Sequence, residues 1–345
     1  MTSAEATVVI PSKDRPVLAR RAVTSMLNQI GVGVEIVVVD DGSLKPLAIE
    51  LADLVEIADG RVTVVRNERS LGVATARNRG LAQVRTGWVG FCDDDDLWAP
   101  TKVVEQLAAA ERTGAGWTCS AAITVDGELR PRWVMPAPYQ ENIVGQLLEI
   151  NVMPGGASSV IARADLARAV RGFDPSLSTL ADWDFWIRLA AAEPLATVER
   201  PLTAYLLNEG GMSLDVDLLE HDLARLVQKH EGTSDTFGRE LSRQRWLDYV
   251  CEIHLRRDRR FRGAWASVRS TVAGAHPRRL GTAALAIVDP ERLLRRRENH
   301  RRNLSPPEWL AEADTWLAPH RDGISTARKT GLPDGASSWV EAAEE

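Results

Sequence analysis

Short β-branched runs alternate with amphipathic segments over the first hundred residues of this 345-residue chain. The runs stand at Thr7–Pro11, Glu35–Asp41, Arg61–Asn67 and Gly87–Cys92. Helical patterns begin at Pro16 and again in the segment GVATARNRGLAQV. Continuous apolar runs are typical of strands that are buried on both faces. Because strands and helices alternate, the sequence predicts a mostly parallel sheet that is covered by helices on both sides.

The pattern changes after Trp117, where WTCSAAITVDGELRPRWVMP predicts a hairpin that turns at Asp126 and Gly127. A hairpin adds antiparallel strands, so we expect a mixed sheet. After Tyr205 the apolar residues recur at helical spacing. We therefore predict a first domain over residues 1–215 and a helical domain over residues 216–304. Residues 305–345, rich in Pro, Gly, Ser and acidic groups, are predicted to form a flexible tail.

The composition excludes several classes of protein. Lys and Arg number 42 against 48 Asp and Glu, and this net charge of -6 disfavours a nucleic-acid partner. Only three cysteines occur, Cys92, Cys119 and Cys251, and their spacing fits neither a zinc site nor a disulfide framework. The chain shows no signal-peptide pattern and no apolar run near the ~20 residues of a membrane span. We expect a cytoplasmic protein.

Polar clusters follow three of the four predicted strands: PSKDR, DDGS and DDDD. Because the carboxyl ends of parallel strands meet at one edge of a sheet, we expect these clusters to lie together. The four aspartates repel one another unless a cation holds them. Mg²⁺ and Mn²⁺ prefer carboxylate oxygens and substrate phosphates, so Asp93 and Asp95 are candidate metal ligands. The alternative is a solvated acidic turn.

Five segments in order resemble the successive motifs of glycosyltransferase family 2. They are VVIPSKDRP, EIVVVDDGS, LGVATARNRGL, VGFCDDDDLW and RGFDPSLSTLADWDFWIRLA. The resemblance covers roughly the first 210 residues and implies an inverting enzyme of the GT-A fold. That fold is α/β and Rossmann-like, with a mostly parallel mixed sheet flanked by helices, and here it would carry a helical C-terminal extension.

The resemblance implies a nucleotide site along the edge of the sheet. Its predicted residues are Pro11, Ser12, Asp14, Arg15, Asp40, Asp41, Arg77 and Asp94. A carboxylate there can accept a hydrogen bond from a uracil N–H or a ribose hydroxyl, so a UDP-sugar is the favoured donor. The guanidinium of Arg77 suits a phosphate or a base edge. The divalent cation on Asp93 and Asp95 would bind the diphosphate.

The resemblance also implies a catalytic base, Asp182. On a helix, Asp182 and Asp184 point about 200° apart, so only one of them can face the cleft. The predicted donor or acceptor pocket comprises Gly155, Gly156, Trp183, Asp184 and Asn208. Asn208 stands where many relatives have a histidine, and its amide oxygen is a weaker ligand for a cation.

We expect transfer of a sugar from a nucleotide-diphosphate sugar to a hydroxyl acceptor, which could be a glycan, a lipid-linked molecule or a natural product. One alternative is a non-catalytic protein that binds sugar nucleotides. Another is a sugar nucleotidyltransferase, although PSKDRP lacks the Gly-rich basic loop of that class. The stretches HLRRDRRFRG and RLLRRRENHRR indicate either a solvated helix face or peripheral association with the inner face of the membrane.

Overall fold

The computed structural model describes residues 4–207, 216–274 and 280–321. Its centre is a mixed nine-stranded sheet. The strands are β1 (Ala6–Ser12), β2 (Val34–Asp41), β3 (Val62–Asn67), β4 (Trp88–Phe91), β5 (Leu97–Trp98), β6 (Trp117–Val125), β7 (Pro131–Met135), β8 (Val160–Arg163) and β9 (Leu195–Leu206). They lie in the order β3-β2-β1-β4-β8-β6-β9-β5, and β7 pairs with β6.

The first half of the sheet is parallel. Strand β1 pairs with β2 and β4, and β2 pairs with β3, all in parallel register. Along β1, Val8 and Ile10 enter one buried core cluster while Val9 enters another. Side chains alternate across a strand, so the two clusters occupy opposite faces of the sheet. Both faces are covered, as the continuous apolar runs predict.

The second half of the sheet is mixed. Strand β8 is antiparallel to β4 and to β6, whereas β9 runs parallel to β6. The predicted hairpin joins β6 to β7, and the Asp126 carboxylate accepts the Glu128 and Arg130 amides in its turn. Strand β5, which follows the aspartates, pairs antiparallel with β9. The expected mixed sheet is confirmed.

Helices cover both faces of the sheet. Those of the first part are α1 (Pro16–Leu27), α2 (Leu47–Glu50), α3 (Ala52–Ile57), α4 (Val73–Leu81), α5 (Lys102–Thr113), α6 (Ile143–Glu149), α7 (Ala164–Ala169) and α8 (Ala181–Ala192). Pro16 begins α1, because proline lacks only an N–H that the first turn leaves unpaired. Helix α4 approaches β1 so closely that a Cβ at Gly80 would lie 2.2 Å from Val9 Cγ1.

The C-terminal third is helical and packs onto the same core. Its helices are α9 (Val216–Lys229), α10 (Glu231–Phe237), α11 (Arg243–Arg256), α12 (Arg260–Ala273), α13 (Leu280–Val288), α14 (Pro290–Asn303) and α15 (Pro307–Leu317). Leu219, Trp246 and Leu293 join the cluster that contains Phe91. None of the helices in the described ranges combines the length and apolar character that crossing a bilayer requires.

The predicted tail contains regular structure at its start. Helix α15 packs against β9 and β7, where Leu317 is fully buried near Ile123. Residues 322–345 lie outside the described residues. The division of the chain at residues 215 and 304 stays a prediction, since α9 and α11 share the core of the first part.

Candidate active site

The carboxyl ends of β1, β2 and β4 meet at one edge of the sheet. Ser12, at the end of β1, donates from Oγ to the Asp94 carboxylate beyond β4 at 2.6 Å. Arg15 Nη1 donates to the same carboxylate at 2.7 Å. Ser43, in the loop after β2, accepts the Asp14 amide on its Oγ at 2.9 Å. The polar clusters that follow these strands therefore lie together, as the sequence predicts.

Arginines bind the outward-facing members of the aspartate run, residues 93–96. Arg77 Nη2 contacts Asp93 Oδ1. Arg15 Nη1 lies 3.2 Å from Asp95 Oδ2. The run is therefore not a simple solvated turn, because fixed positive charge lies on two sides of it.

The inner members of the run are buried and hydrogen-bonded. Asp96 accepts from Ser158 Oγ at 2.5 Å and from the Leu206 amide at 3.0 Å. Burial and the charge of Asp95 raise the pKa of Asp94 to about 7. Burial likewise raises the pKa of Asp96 well above its usual range. At neutral pH the run therefore carries fewer than four full negative charges.

Arg77 links the aspartate run to the opposite wall of the cleft. It is 6% exposed, and its guanidinium lies 5.1 Å from the centre of the Phe173 ring. Its positive charge also acts on Asp182, where burial raises the carboxyl pKa and Arg77 opposes that rise. The buried Nε atoms of Arg77 and Arg15 have no hydrogen-bond partner among the described residues. Two guanidinium groups therefore retain donor capacity at this edge, which suits an oxyanion ligand.

Asp182, in the first turn of α8, lies near Arg77 and Asp93, and we call the region that holds these three residues the cleft. Asp182 Oδ1 accepts the Trp183 amide at 2.7 Å. Burial raises the pKa of Asp182, and the charge of Asp93 adds to that rise against the opposing charge of Arg77. Asp93, Arg77 and Asp182 are thus close enough to affect one another electrostatically. A carboxylate with a raised pKa is suited to accept a proton.

The predicted glycine pair lies beside this carboxylate. Gly155 and Gly156 have φ values of 63° and 53°, in the left-handed region that favours glycine. A Cβ at Gly156 would lie 3.5 Å from Asp182 Oδ2. The short helix that follows, Gly156–Ser159, supplies Ser158, whose Oγ also accepts the Asp93 amide at 3.0 Å. This loop therefore connects the aspartate run to Asp182.

The structure does not bring Asp184 to the cleft, which corrects its predicted place in the pocket. Asp184 is fully buried and pairs with Arg188 at 2.6 Å, Lys229 at 2.9 Å and His230 at 2.9 Å. Burial alone would raise the pKa of Asp184, but His230 and Arg188 hold it well below its usual range. This carboxylate therefore joins α8 to the C-terminal helices.

Trp183 is likewise a core residue and not a wall of the pocket. It is 1% exposed, and its Nε1 donates to the Leu147 carbonyl at 2.7 Å. Its ring lies 6.4 Å from the ring of Trp246 on α11. The indole thus fixes the first turn of α8, from which Asp182 projects.

Asp40 and Asp41 hold their own loop. The Asp40 carboxylate accepts hydrogen bonds from the backbone amides of Ser43 and Leu47 and from the side chain of Arg66. The Asp41 carboxylate accepts hydrogen bonds from the side chains of Asn67 and Ser70 and from the backbone amides of Leu71 and Gly72. Asp14 Oδ1 accepts the Leu44 amide at 2.6 Å, and Pro11 lies within β1. These carboxylates therefore already order the loops at this edge, with Asp14 using one of its two oxygens. Contact of these residues with a nucleotide stays a prediction.

The metal site also stays a prediction. Within the described residues, no group of three or more His, Cys, Asp or Glu side chains is arranged around a possible metal position. Asn208 lies outside the described residues. Asp93 and Asp95 remain the carboxylates that the cleft offers to a cation.

One residue near the cleft is absent from the sequence-based prediction. Tyr249, on α11, is 41% exposed and packs against Trp246 with ring centres 5.7 Å apart. Partial burial and the charge of Asp182 raise the pKa of Tyr249 to about 12. In the sequence, Tyr249 is one of several apolar positions of an amphipathic helix. No local signal indicates that this helix reaches the cleft.

Comparison with known proteins finds relatives of the first part of the chain. Residues 7–167 match the family described as Glycosyl transferase family 2. An uncharacterized glycosyltransferase of Haemophilus influenzae is 27% identical over 214 residues, covering 57% of this chain and 66% of the relative. The pre-mycofactocin glycosyltransferase of Mycobacterium tuberculosis is 32% identical over 208 residues, covering 56% and 42%. The succinoglycan biosynthesis protein ExoW of Rhizobium meliloti is 36% identical over 115 residues, covering 32% and 36%.

Solved structures agree with this assignment at the level of the fold. TarS of S. aureus superposes with a TM-score of 0.52 at 13% identity, covering 94% of this chain and 55% of that chain. TarS 1-349 in complex with UDP-GlcNAc gives a TM-score of 0.51 at 15% identity, covering 95% and 92%. The chain spans less than two thirds of the length of the curated relatives given above. With its mixed sheet and flanking helices, this chain has the GT-A fold, and its residues 7–167 match the model of glycosyl transferase family 2.

Proposed function

We propose that this protein is an inverting glycosyltransferase that moves a sugar from a nucleotide-diphosphate sugar to a hydroxyl acceptor. The observation that carries the proposal is the position of Asp182 near both Arg77 and Asp93: burial raises its pKa, Arg77 opposes that rise and Asp93 adds to it. An inverting transfer needs a leaving-group site and a base on opposite sides of the anomeric carbon. The aspartate run with its arginines and Asp182 are candidates for these two positions.

The donor diphosphate would lie along the edge of the sheet. The Arg15 side chain stays 20% exposed at this edge, and phosphate oxygens could accept hydrogen bonds from its guanidinium, while Arg77 adds positive charge nearby. A UDP-sugar is the favoured donor. TarS, which shares the fold, has been solved in complex with UDP-GlcNAc.

A divalent cation, Mg²⁺ or Mn²⁺, fits the carboxylates present. Such ions bind through one or two carboxylates together with substrate phosphates, so Asp93 and Asp95 would be sufficient protein ligands. Both side chains retain exposure, 32% and 17% respectively. When bound, the cation would offset the negative charge that develops on the departing diphosphate.

The acceptor would approach from the side of Asp182. As the acceptor oxygen attacks the anomeric carbon, the bond from that carbon to the diphosphate breaks and its electron pair leaves with the phosphate. Asp182 takes the proton of the attacking hydroxyl. A single displacement inverts the configuration at the anomeric carbon. The loop at Gly156 lies beside Asp182, and Tyr249 is near enough for the charge of Asp182 to raise its pKa, so both would contact the acceptor.

The test is to measure sugar transfer and donor hydrolysis with UDP-, GDP- and dTDP-sugars in the presence of Mn²⁺. We expect Asp182→Asn to lower kcat by about 10²-fold or more, because a general base contributes about 10²–10⁴-fold. Binding of UDP, measured by thermal shift, should persist in the variant, since Asp182 is assigned to the acceptor side.

Asp165→Asn is the matched control. Like Asp182, Asp165 lies in the first turn of a helix, here α7, and its carboxylate accepts the amide of the next residue, Leu166, at 2.7 Å. Unlike Asp182, it pairs with Arg163 and is not part of the cleft. Its replacement should leave kcat unchanged. Transfer by folded Asp182→Asn at the wild-type rate would overturn the assignment. Binding of UDP without turnover of any sugar donor would instead favour a non-catalytic binding protein.

A further inference from the structure

Helix α12 presents its large apolar side chains to solvent and its small ones to the protein. Phe261, Trp265 and Val272 are 73%, 63% and 75% exposed. The buried residues of the same helix are Gly263, Ala264, Ala266, Ser267, Ser270 and Thr271. This distribution is the reverse of that expected for a helix at the surface of a water-soluble domain.

The exposed residues form one stripe. Successive helical residues are about 100° apart, so Phe261, Trp265 and Val272 fall within about 40° of one another. We call these three residues the α12 stripe. Arg262 and Arg269, both exposed, follow at about 80–100° and border one edge of the stripe.

The orientation of α12 is set by close packing. A Cβ at Gly263 would lie 2.8 Å from Leu255 Cδ2 on α11, so the two helices meet where only a glycine fits. Ser270 Oγ donates to Asp248 of α11 at 2.7 Å. A rotation that buried the aromatic residues would break both contacts. The packing of α12 on α11 therefore keeps the stripe exposed to solvent.

The surroundings of the stripe are positively charged. The described residues of this region, 256–274 and 280–302, contain 12 arginines against four acidic residues, within a chain of net charge -6. Arg256, Arg297 and Arg301 are engaged with Glu252. Exposed arginines beside the stripe, Arg262 among them, direct further positive charge to solvent. Helix α13, which packs on α12, leaves Val288 80% exposed.

We propose that the α12 stripe and its arginines dock this protein on a membrane surface with anionic headgroups. Tryptophan and phenylalanine insert favourably at the boundary between headgroups and acyl chains, and arginines bind the phosphates above it. A second copy of the chain would bring two strongly basic surfaces together, which like-charge repulsion disfavours. The docking is distinct from sugar transfer and does not depend on the proposed function.

The test is co-sedimentation of the purified full chain with vesicles of neutral phosphatidylcholine and with vesicles that also contain phosphatidylglycerol. Wild-type protein should bind the anionic vesicles, and salt should weaken the binding. Phe261→Ser with Trp265→Ser should weaken it by at least about 10-fold through lost apolar contact. The double variant Arg262→Gln with Arg269→Gln should weaken vesicle binding by about 30-fold, since each arginine near an anionic surface raises the affinity about fivefold.

Matched controls lie on the first part of the chain. Ile57→Ser removes an apolar side chain that is 71% exposed, and Arg85→Gln with Arg112→Gln removes two exposed arginines. Neither change should alter vesicle binding. Circular dichroism spectra and melting temperatures should match wild type for every variant, which separates lost docking from lost folding.

Three outcomes would overturn the proposal. The first is absence of wild-type binding to anionic vesicles at low salt. The second is undiminished binding by both double variants. The third is a concentration-dependent dimer, detected by light scattering, that Trp265→Ser abolishes while vesicle binding is unaffected, because the stripe would then cover a second copy.

Discussion

The buried carboxylate of Asp184 on α8 accepts a hydrogen bond from Nε2 of His230, the residue that follows α9, at 2.9 Å. Two residues earlier on the same helix, Asp182 faces the candidate active site. Because residues two positions apart on a helix point in nearly opposite directions, Asp182 and Asp184 face different surroundings. One carboxylate is available for chemistry, and the other anchors the C-terminal helices to the GT-A domain.

Asp184→Asn should destabilise the protein and leave its chemistry intact. Loss of one partner from a buried ionic cluster costs about 3 kcal/mol or more, because Arg188 would keep its charge without the carboxylate of Asp184. A thermal melt should therefore show Tm lower by about 5–10 °C. Asp235→Asn, at an exposed position on α10, should leave Tm unchanged. If Asp184→Asn melted at the wild-type Tm but had lost sugar transfer, the result would support the sequence-based prediction that Asp184 lines the donor or acceptor pocket.

Tyr249 should contribute to acceptor binding through its ring. Tyr249→Ala should raise KM for the acceptor by about 10-fold, since stacking against an aromatic ring is worth about 1 kcal/mol or more. Tyr249→Phe should change it little, and donor hydrolysis should be unaffected in both variants. Phe237→Ala, on α10 and 43% exposed, is the control for loss of an aromatic side chain. Equal effects of Tyr249→Ala on hydrolysis and transfer would contradict an acceptor role.

Removal of the metal should weaken donor binding. If Asp93 and Asp95 hold a cation on the diphosphate, Mn²⁺ should enlarge the rise in Tm that UDP produces, because a bound ligand stabilises the folded state by mass action. Asp95→Asn should lose this Mn²⁺-dependent part, whereas the exposed control Asp59→Asn should keep it. A UDP-induced shift and a turnover rate that EDTA leaves unchanged would speak against a metal-dependent site.

Glu252 on α11 should make the stability of the C-terminal helices depend on pH. Burial alone would raise its pKa from 4.5, but Arg301, Arg256 and Arg297 lower it to about 2. A pKa that is lower in the folded state stabilises the fold above pH 4.5, and this stabilisation is lost as the pH falls from 4.5 towards 2. The free energy involved is about 3 kcal/mol.

Thermal melts of Glu252→Gln from pH 7 to pH 3 would check this contribution. The variant should melt below wild type at pH 7, and the gap should narrow below pH 4.5. Glu291→Gln, whose side chain is 79% exposed beside Arg295 on α14, should match wild type at every pH. A gap that stays constant down to pH 3 would show that the carboxylate charge is not responsible.

The parallel half of the sheet could be predicted because each strand carries its own signal. Residues 8–10 of β1 are apolar because both faces of this strand are buried. The polar turn that follows each strand is recognisable from neighbouring residues alone. Connectivity then places Ser12 and Asp94 at one edge without further information.

The partners of individual side chains could not be predicted in this way. Nothing local distinguishes Asp184 from Asp182 as the residue that meets His230, which lies 46 positions away. The same holds for the approach of Tyr249 to Asp182 and for the outward orientation of Phe261 and Trp265. Each depends on how α9 to α13 pack, which is set by contacts distant in sequence.

By itself, the sequence determined the α/β alternation, the mixed sheet, the polar edge and the resemblance to glycosyl transferase family 2, because short contiguous patterns encode each of them. Only the tertiary structure decided which carboxylates are engaged, which helix reaches the cleft and which apolar side chains remain in water. The physical reason is that charge pairing, burial and exposure depend on neighbours that folding brings together from distant parts of the chain.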